Sequence, residues 1–260
     1  APSLGRSGPA CRVGGPSLGQ RGNDGPLALA APGQSLGGER GVQGNEHLGN
    51  PTRGLAYRNC VAQVRCATIV HLRQDESPSI AAGLRWVANN ARRLKITAVN
   101  LSVLDDTEHK KPVPTAIDAE LQTLRQMHIW VSAPAGNNEH TEGISWPACQ
   151  EYCIGIGTTR LGRHEAYLDR YHGTDLLVCA TATSSSNAYA AASAQVLHEA
   201  IEKSDYPWRK DGTTLPDAML AIFQRTGVEI HDDATRLKFR ELNLLAALDE
   251  VFATAPAVEN

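Results

Sequence analysis

From about Arg53 to Val251, short apolar runs alternate with segments whose apolar residues recur at helical spacing. Cys60 to Val70 is apolar and β-branched, as a strand requires. Ser77-Pro78 then offers an N-cap followed by proline at the first helical position, and Ile80, Leu84, Val87, Ala91 and Leu94 mark one helix face. Ile96 to Val103 reads as a buried strand. A second helix is expected from around Pro114, with Asp118 and Glu120 early and Ile117, Leu121 and Leu124 on one face. Ile129 to Ala135, Tyr152 to Thr158 and Asp175 to Ala180 are further strands. Helices are expected from Ser186 to about Lys203, from Pro216 to a stop at Gly227, and from Leu242 into Val251. Strands and helices alternating over this length predict an α/β fold, a parallel sheet with helices on both faces. Reactive groups then gather at the carboxyl ends of the strands.

The first 52 residues do not share this pattern. Thirteen of the 23 glycines lie in residues 1–50, with Pro2, Pro9, Pro16, Pro26 and Pro32 spread among them. Hardly any apolar residues are spaced for a helix or strand, apart from Leu27 to Ala31. Such a segment buries too little surface to offset its ordering entropy, so residues 1–52 are expected to be irregular or disordered. A shift of reading frame upstream of Arg53 would leave the same abrupt contrast. Residues 53–254 are expected to form the folded domain. The chain begins at Ala1 without methionine or a signal-peptide pattern, which points to a processed or absent true start.

Composition narrows the function. A net charge of -3 and no basic run mixed with aromatics argue against nucleic acid as a partner. No apolar stretch approaches membrane-spanning length, so no membrane partner is expected either. Cys149 and Cys153 have no second Cys or His pair to complete a zinc site, and no metal or other cofactor is expected. The six cysteines leave the redox compartment open.

The chemistry-bearing feature is Ala182-Thr183-Ser184-Ser185-Ser186-Asn187-Ala188, running into the small residues of Tyr189 to Leu197. Hydroxyls at a helix N-terminus sit among backbone N–H groups that favour developing negative charge, a setting for a nucleophile. An ordinary N-cap serine fits the same residues. Asn137, after Gly136, reads equally as a turn residue tolerant of left-handed dihedrals.

Several segments read together resemble the subtilases, the subtilisin-like serine peptidases. Val99-Asn100-Leu101-Ser102-Val103 resembles that family's V-x-N-x-S-L strand. Val131-Ser132-Ala133-Pro134-Ala135-Gly136-Asn137 is similar to its V-V-x-A-A-G-N strand and turn. Ser184-Ser185-Ser186-Asn187-Ala188 stands where the family has G-T-S-x-A. Trp146-Pro147-Ala148 with Cys153-Ile154-Gly155-Ile156-Gly157 resembles Y-P-A followed by V-I-x-V-G-A, and Leu220 to Leu248 resembles the closing helices. The resemblance covers roughly residues 54–250. It implies a subtilisin-like fold in which Ser186 is the nucleophile, Asn137 donates its side-chain N–H to the oxyanion, and the Ser186 backbone N–H is the second donor. It also implies a peptide or protein substrate, a monomer, and a secreted or extracytoplasmic location.

The family's D-x-G turn and H-G-T-H motif are not present. Asp24 in Asn23-Asp24-Gly25 and His47 are the nearest stand-ins, and Pro51 would interrupt a helix begun at His47. His128, His140, His164, His172 and His198 read by default as surface or satisfied histidines. Gly and Thr before the nucleophile are replaced by Ser184 and Ser185, and the proline and glycine that follow it by Ala190 and Ala194. The expected function is therefore a serine endopeptidase domain that is incomplete or inactive in this chain. The alternative is a non-catalytic, degenerate subtilase scaffold, with the strand around Leu101 to Asp105 free to pair with an extended peptide.

Overall fold

The computed structural model describes residues 27–32, 67–72 and 77–254. Strands β1 (Leu27–Pro32), β2 (Ala67–Leu72), β3 (Ala98–Asn100), β4 (Trp130–Pro134), β5 (Ile154–Thr159), β6 (Ala166–Tyr167), β7 (Thr174–Cys179), β8 (Val228–Asp232) and β9 (Leu237–Glu241) form one sheet. Its order is β2-β1-β3-β4-β5-β7-β9-β8, with β6 paired to β5 off that path. From β3 through β4, β5 and β7 to β9 the pairs are parallel, while β1 lies antiparallel to both its neighbours. The expected α/β architecture is present. Within the first 52 residues, expected to be irregular, Leu27–Pro32 instead form strand β1 of the sheet.

Among the described residues five α-helices cover the two faces: α1 (Ser77–Leu94), α2 (Asp118–Gln126), α3 (Thr183–Ser204), α4 (Leu215–Thr226) and α5 (Leu244–Thr254). The first two lie on one face. Ile80, Leu84, Val87 and Ala91 of α1, with Leu121 and Leu124 of α2, pack on Val99, Val131 and Ala133. The other face buries Ala98, Trp130, Ile154, Ile156 and Leu176 against α3, α4 and α5. Alternate strand residues thus feed opposite cores, as the pleat requires. Trp130 meets Phe223 of α4 edge to face with ring centroids 6.0 Å apart, the favoured arrangement of two aromatic quadrupoles. Ala190, Ala191 and Ala194 let α3 settle closely on the sheet.

Several boundaries differ from expectation, each for a local reason. Helix α2 starts at Asp118 rather than near Pro114, because Thr115 N and Oγ1 donate to the Asp118 carboxylate at 3.0 and 3.1 Å. That side-chain turn replaces a first helical turn. β3 ends at Asn100, since beyond the bond from Leu101 N to Ser132 O the chain leaves the ladder. Of the strand expected over residues 60–70, the part before Ala67 lies outside the described residues.

The hairpin β8–β9 was not foreseen. Its alternation is clear in retrospect: Ile230 and Asp232 on one strand, Phe239 and Glu241 on the other, are buried between exposed or half-buried neighbours. Thr235 N and Oγ1 donate to Asp232 Oδ2 at 3.0 and 2.6 Å and close the connection. On the outer side of the hairpin, Glu229 pairs with His231, Lys238 and Arg240 at 2.9, 3.1 and 2.9 Å.

Candidate functional site

The carboxyl ends of β3 and β4 and the start of α3 converge on one place. β4 runs out at Pro134 into the turn Ala135-Gly136-Asn137, with Gly136 at φ +124°. A Cβ there would lie 2.0 Å from Asp169 Oδ2, so both the dihedral and the packing demand glycine. Only Ala180 to Ala182 lie between β7 and α3, so the helix begins almost as soon as the strand ends.

Thr183, not Ser186, is the helix residue beside Asn137. Thr183 N donates to Asn137 Oδ1 at 2.9 Å, and Thr183 Oγ1 lies 2.9 Å from the same oxygen. Thr183 Oγ1 also donates to Gly136 O at 3.1 Å and accepts from Gly136 N at 3.3 Å. Ala182, the residue before the helix, has no capping side chain, so Asn137 caps α3 from another element. Asn137 is half-buried, and its Nδ2 meets no acceptor among the described residues.

Ser186 is the fourth residue of α3, one turn further along than the sequence suggested. Its backbone N–H donates to Ala182 O at 3.1 Å, so it is spent within the helix and is not the second oxyanion donor the resemblance implied. Its hydroxyl is fully buried and donates to Val178 O at 2.8 Å, with Ala182 O at 3.4 Å. Thr183 escaped the sequence reading because four successive hydroxyl residues all suit a helix start. The short connection after β7 is the signal that selects the first of them. Ser184 is half-buried and Ser185 exposed, and neither side chain has a partner among the described residues.

Asn187 follows on the buried side of α3. Its Nδ2 donates to Leu101 O at 3.0 Å and Ser132 O at 3.1 Å, tying the helix to the ends of β3 and β4. Beyond Leu101 the backbone N–H and C=O groups of Ser102, Val103 and Leu104 have no partner among the described residues, until Asp105 N donates to Ser145 Oγ at 3.0 Å. This is an open edge beside the Asn137 turn.

Beyond the turn, Asp169 is fully buried beneath residues 136–140. Its Oδ1 accepts from Asn138 N at 2.6 Å and His140 N at 3.0 Å, and Oδ2 lies 3.3 Å from His140 Nδ1. Burial pushes this carboxyl above the usual range, opposed by the two backbone N–H groups and His140. A second carboxylate, Asp105, holds Ser145 Oγ at 2.9 Å, Trp146 N at 3.0 Å and His109 Nε2 at 2.8 Å. Burial works to raise it, but these bonds bring it below the usual range. Here the carboxylate stands between serine and histidine, an order that orients neither as a base for the other.

Of the residues singled out by sequence, Asn137 is at the site and Ser186 lies beneath it. Asp24 and His47 lie outside the described residues. His128, by contrast, serves packing and capping: its Nδ1 accepts from Leu215 N at 3.2 Å at the start of α4. No group of His, Cys, Asp and Glu suited to a metal ion occurs among the described residues.

No protein-family model matches this sequence, and no curated protein does. Solved structures do resemble it. The self-cleaved protease domain of PatA superposes with a TM-score of 0.55 at 16% identity, over 71% of this chain and 71% of that one. The prenylagaramide maturation protease PagA gives 0.53 at 15% identity, over 69% and 71%. A protease from Pseudoalteromonas arctica gives 0.50 at 12%, over 68% and 59%. At these identities the likeness is one of architecture, and that architecture is the subtilisin-like fold.

Proposed function

We propose that this subtilisin-like fold serves here as a peptide-binding module that does not hydrolyse its ligand through Ser186. The observation that carries the reading is the Ser186 hydroxyl, fully buried and donating to Val178 O at 2.8 Å. A nucleophile must present its oxygen to a carbonyl carbon and pass its proton to a base. This oxygen faces the protein interior. The backbone of Ser102 to Leu104, without a partner among the described residues, supports the binding half of the reading, since an extended peptide can complete such an edge by strand addition. Asn137 Nδ2, which meets no acceptor among the described residues, is available to a peptide carbonyl at the same place.

The hydrolytic reading keeps Ser186 as nucleophile and Asn137 as oxyanion donor. Asn137 Nδ2, without an acceptor among the described residues, favours it, but it requires the first turn of α3 to unwind and release the Ser186 hydroxyl.

One experiment separates the two. The protein is treated with an active-site-directed fluorophosphonate, and in parallel titrated with an N-acetylated, fluorescein-tagged oligo-alanine peptide. The binding reading expects no covalent labelling and a peptide affinity lost in Val103→Pro, which removes an N–H from the open edge. Stoichiometric labelling that disappears in Ser186→Ala would overturn it.

A further inference from the structure

We infer that the seam between α3 and the ends of β3 and β4 binds one buried water molecule through Asn100, Ser132 and Asn187, and that this site positions Ser102 at the open edge. The second half of the inference rests on reading that edge as the peptide site.

The pleat brings three polar side chains to one seam. Asn100 and Ser132 are register partners on neighbouring parallel strands, so their side chains leave the sheet on the same side. Ala98 and Trp130, two residues earlier on each strand, pack among residues of α3, α4 and α5, so that side is the one α3 covers. Asn187 approaches from the helix and donates to Ser132 O at 3.1 Å and Leu101 O at 3.0 Å. Ser132 and Asn187 are fully buried, and Asn100 is 9% exposed. The neighbouring core residues on this stretch are small: Ala98 on β3, and Ala190 about one turn along α3 from Asn187.

Each of the three side chains keeps one buried oxygen without a hydrogen-bond partner among the described residues: Asn100 Oδ1, Ser132 Oγ and Asn187 Oδ1. A single buried polar atom left in this state is costly, and three along one seam call for a common partner. The chemistry of the three identifies it. Two amide oxygens can only accept, and the hydroxyl has a proton to give. Water is the complement. It donates twice and accepts once, making the roughly three hydrogen bonds usual for a buried molecule. A metal cation would serve the oxygens but leave the Ser132 proton without an acceptor. It would also bring a charge among three side chains that carry none to offset it.

The site reaches the edge through Asn100. Its Nδ2 donates to Ser102 Oγ at 2.8 Å, so holding Oδ1 on the water fixes the amide plane and with it the Ser102 side chain. Asn187, held by the same water, secures Leu101 O, the carbonyl just before the edge. Both asparagines are thus positioning residues that need not touch the peptide.

The first test uses isotope-labelled full-length wild-type protein. Water-selective NMR should show direct magnetisation transfer from a long-lived water to the side-chain amide protons of Asn100 and Asn187. Replacing sodium chloride with tetramethylammonium chloride should leave those resonances unmoved. Ser132→Ala should abolish the transfer and weaken binding of the oligo-alanine probe at least about threefold, since the water loses one of its three partners. Ser132→Thr keeps the hydroxyl and should retain both. Thermal unfolding of each variant ensures that affinity is read on folded protein.

No transfer from water to either amide in the wild type would overturn the site. Resonances that follow the alkali cation would overturn water as its occupant. A Ser132→Ala protein that loses the water yet binds the probe as the wild type does would overturn the positioning of Ser102, while leaving the peptide reading intact. A water seen as described in a protein that binds no probe would sink the peptide reading and leave the water site standing.

Discussion

Asn137 Oδ1 accepts the backbone N–H of Thr183 at 2.9 Å, so the residue ending one strand segment caps the helix that follows another. The cap joins the β4 turn to α3 and makes the shape of the cleft depend on both. Removing it in Asn137→Ala should cost about 1 kcal/mol of stability, the usual loss for a helix cap. Urea unfolding measures this, and an unchanged midpoint would show that the contact contributes nothing to the fold.

Ser186→Ala should be nearly silent. Val178 O also accepts from Thr158 Oγ1 at 3.0 Å, so the carbonyl keeps a partner when the serine hydroxyl is removed. The expected loss is under about 1 kcal/mol, since no buried group is left alone. A loss of several kcal/mol in thermal or urea unfolding would contradict this account of the buried hydroxyl.

Gly136→Ala should be severe. Its Cβ would come within 2.0 Å of Asp169 Oδ2 on a backbone at φ +124°. Strain and collision together should cost upwards of about 2 kcal/mol. Adding Asp169→Gly removes the collision but not the dihedral strain, so the double variant should recover only part of the loss. Full recovery would mean that the dihedral carries no penalty.

Asp175 gives a signed pH dependence. Its Oδ2 accepts from Gly155 N at 2.8 Å, and burial raises its carboxyl to about 6 despite that bond and Arg125. The folded protein therefore binds this proton more tightly than the unfolded chain, whose aspartate titrates near about 4. Stability from this group is greatest below about pH 4 and declines as pH rises through about 6, by on the order of 2 kcal/mol. Asp175→Asn keeps an acceptor for Gly155 N and removes the slope. Urea midpoints at pH 4.5, 5.5 and 7, compared between wild type and variant, check this; parallel curves would refute it.

Periodicity made most of the frame legible. Ile80, Leu84, Val87 and Ala91 lie buried on α1, as their spacing required, and the runs of β4, β5 and β7 are buried strands. Side chains that compete with the backbone were harder to foresee. The Thr115–Asp118 turn delays α2, and the β8–β9 hairpin was hidden because its apolar face is short: Ile230 and Phe239 are buried and Leu237 packs beside them half-buried. At the site, Asn137 could be found because it follows Ala-Gly at a strand end. The error at Ser186 came from register. A helix can begin at any of several hydroxyl residues, and three residues' difference turns a side chain through most of a turn along the axis. Asp169 carried no sequence signal, because its role depends on Leu168 taking φ +62°, a backbone conformation that composition does not announce.

The outermost strand beyond β9 has its own consequence. Val228, Glu229 and His231 are exposed on β8, and Glu229 is already shared among Lys238, Arg240 and the His231 ring. Any foreign strand zipping onto that margin would have to dehydrate those ions and dissolve their mutual pairing. Growth of the sheet in that direction is thus discouraged by electrostatics.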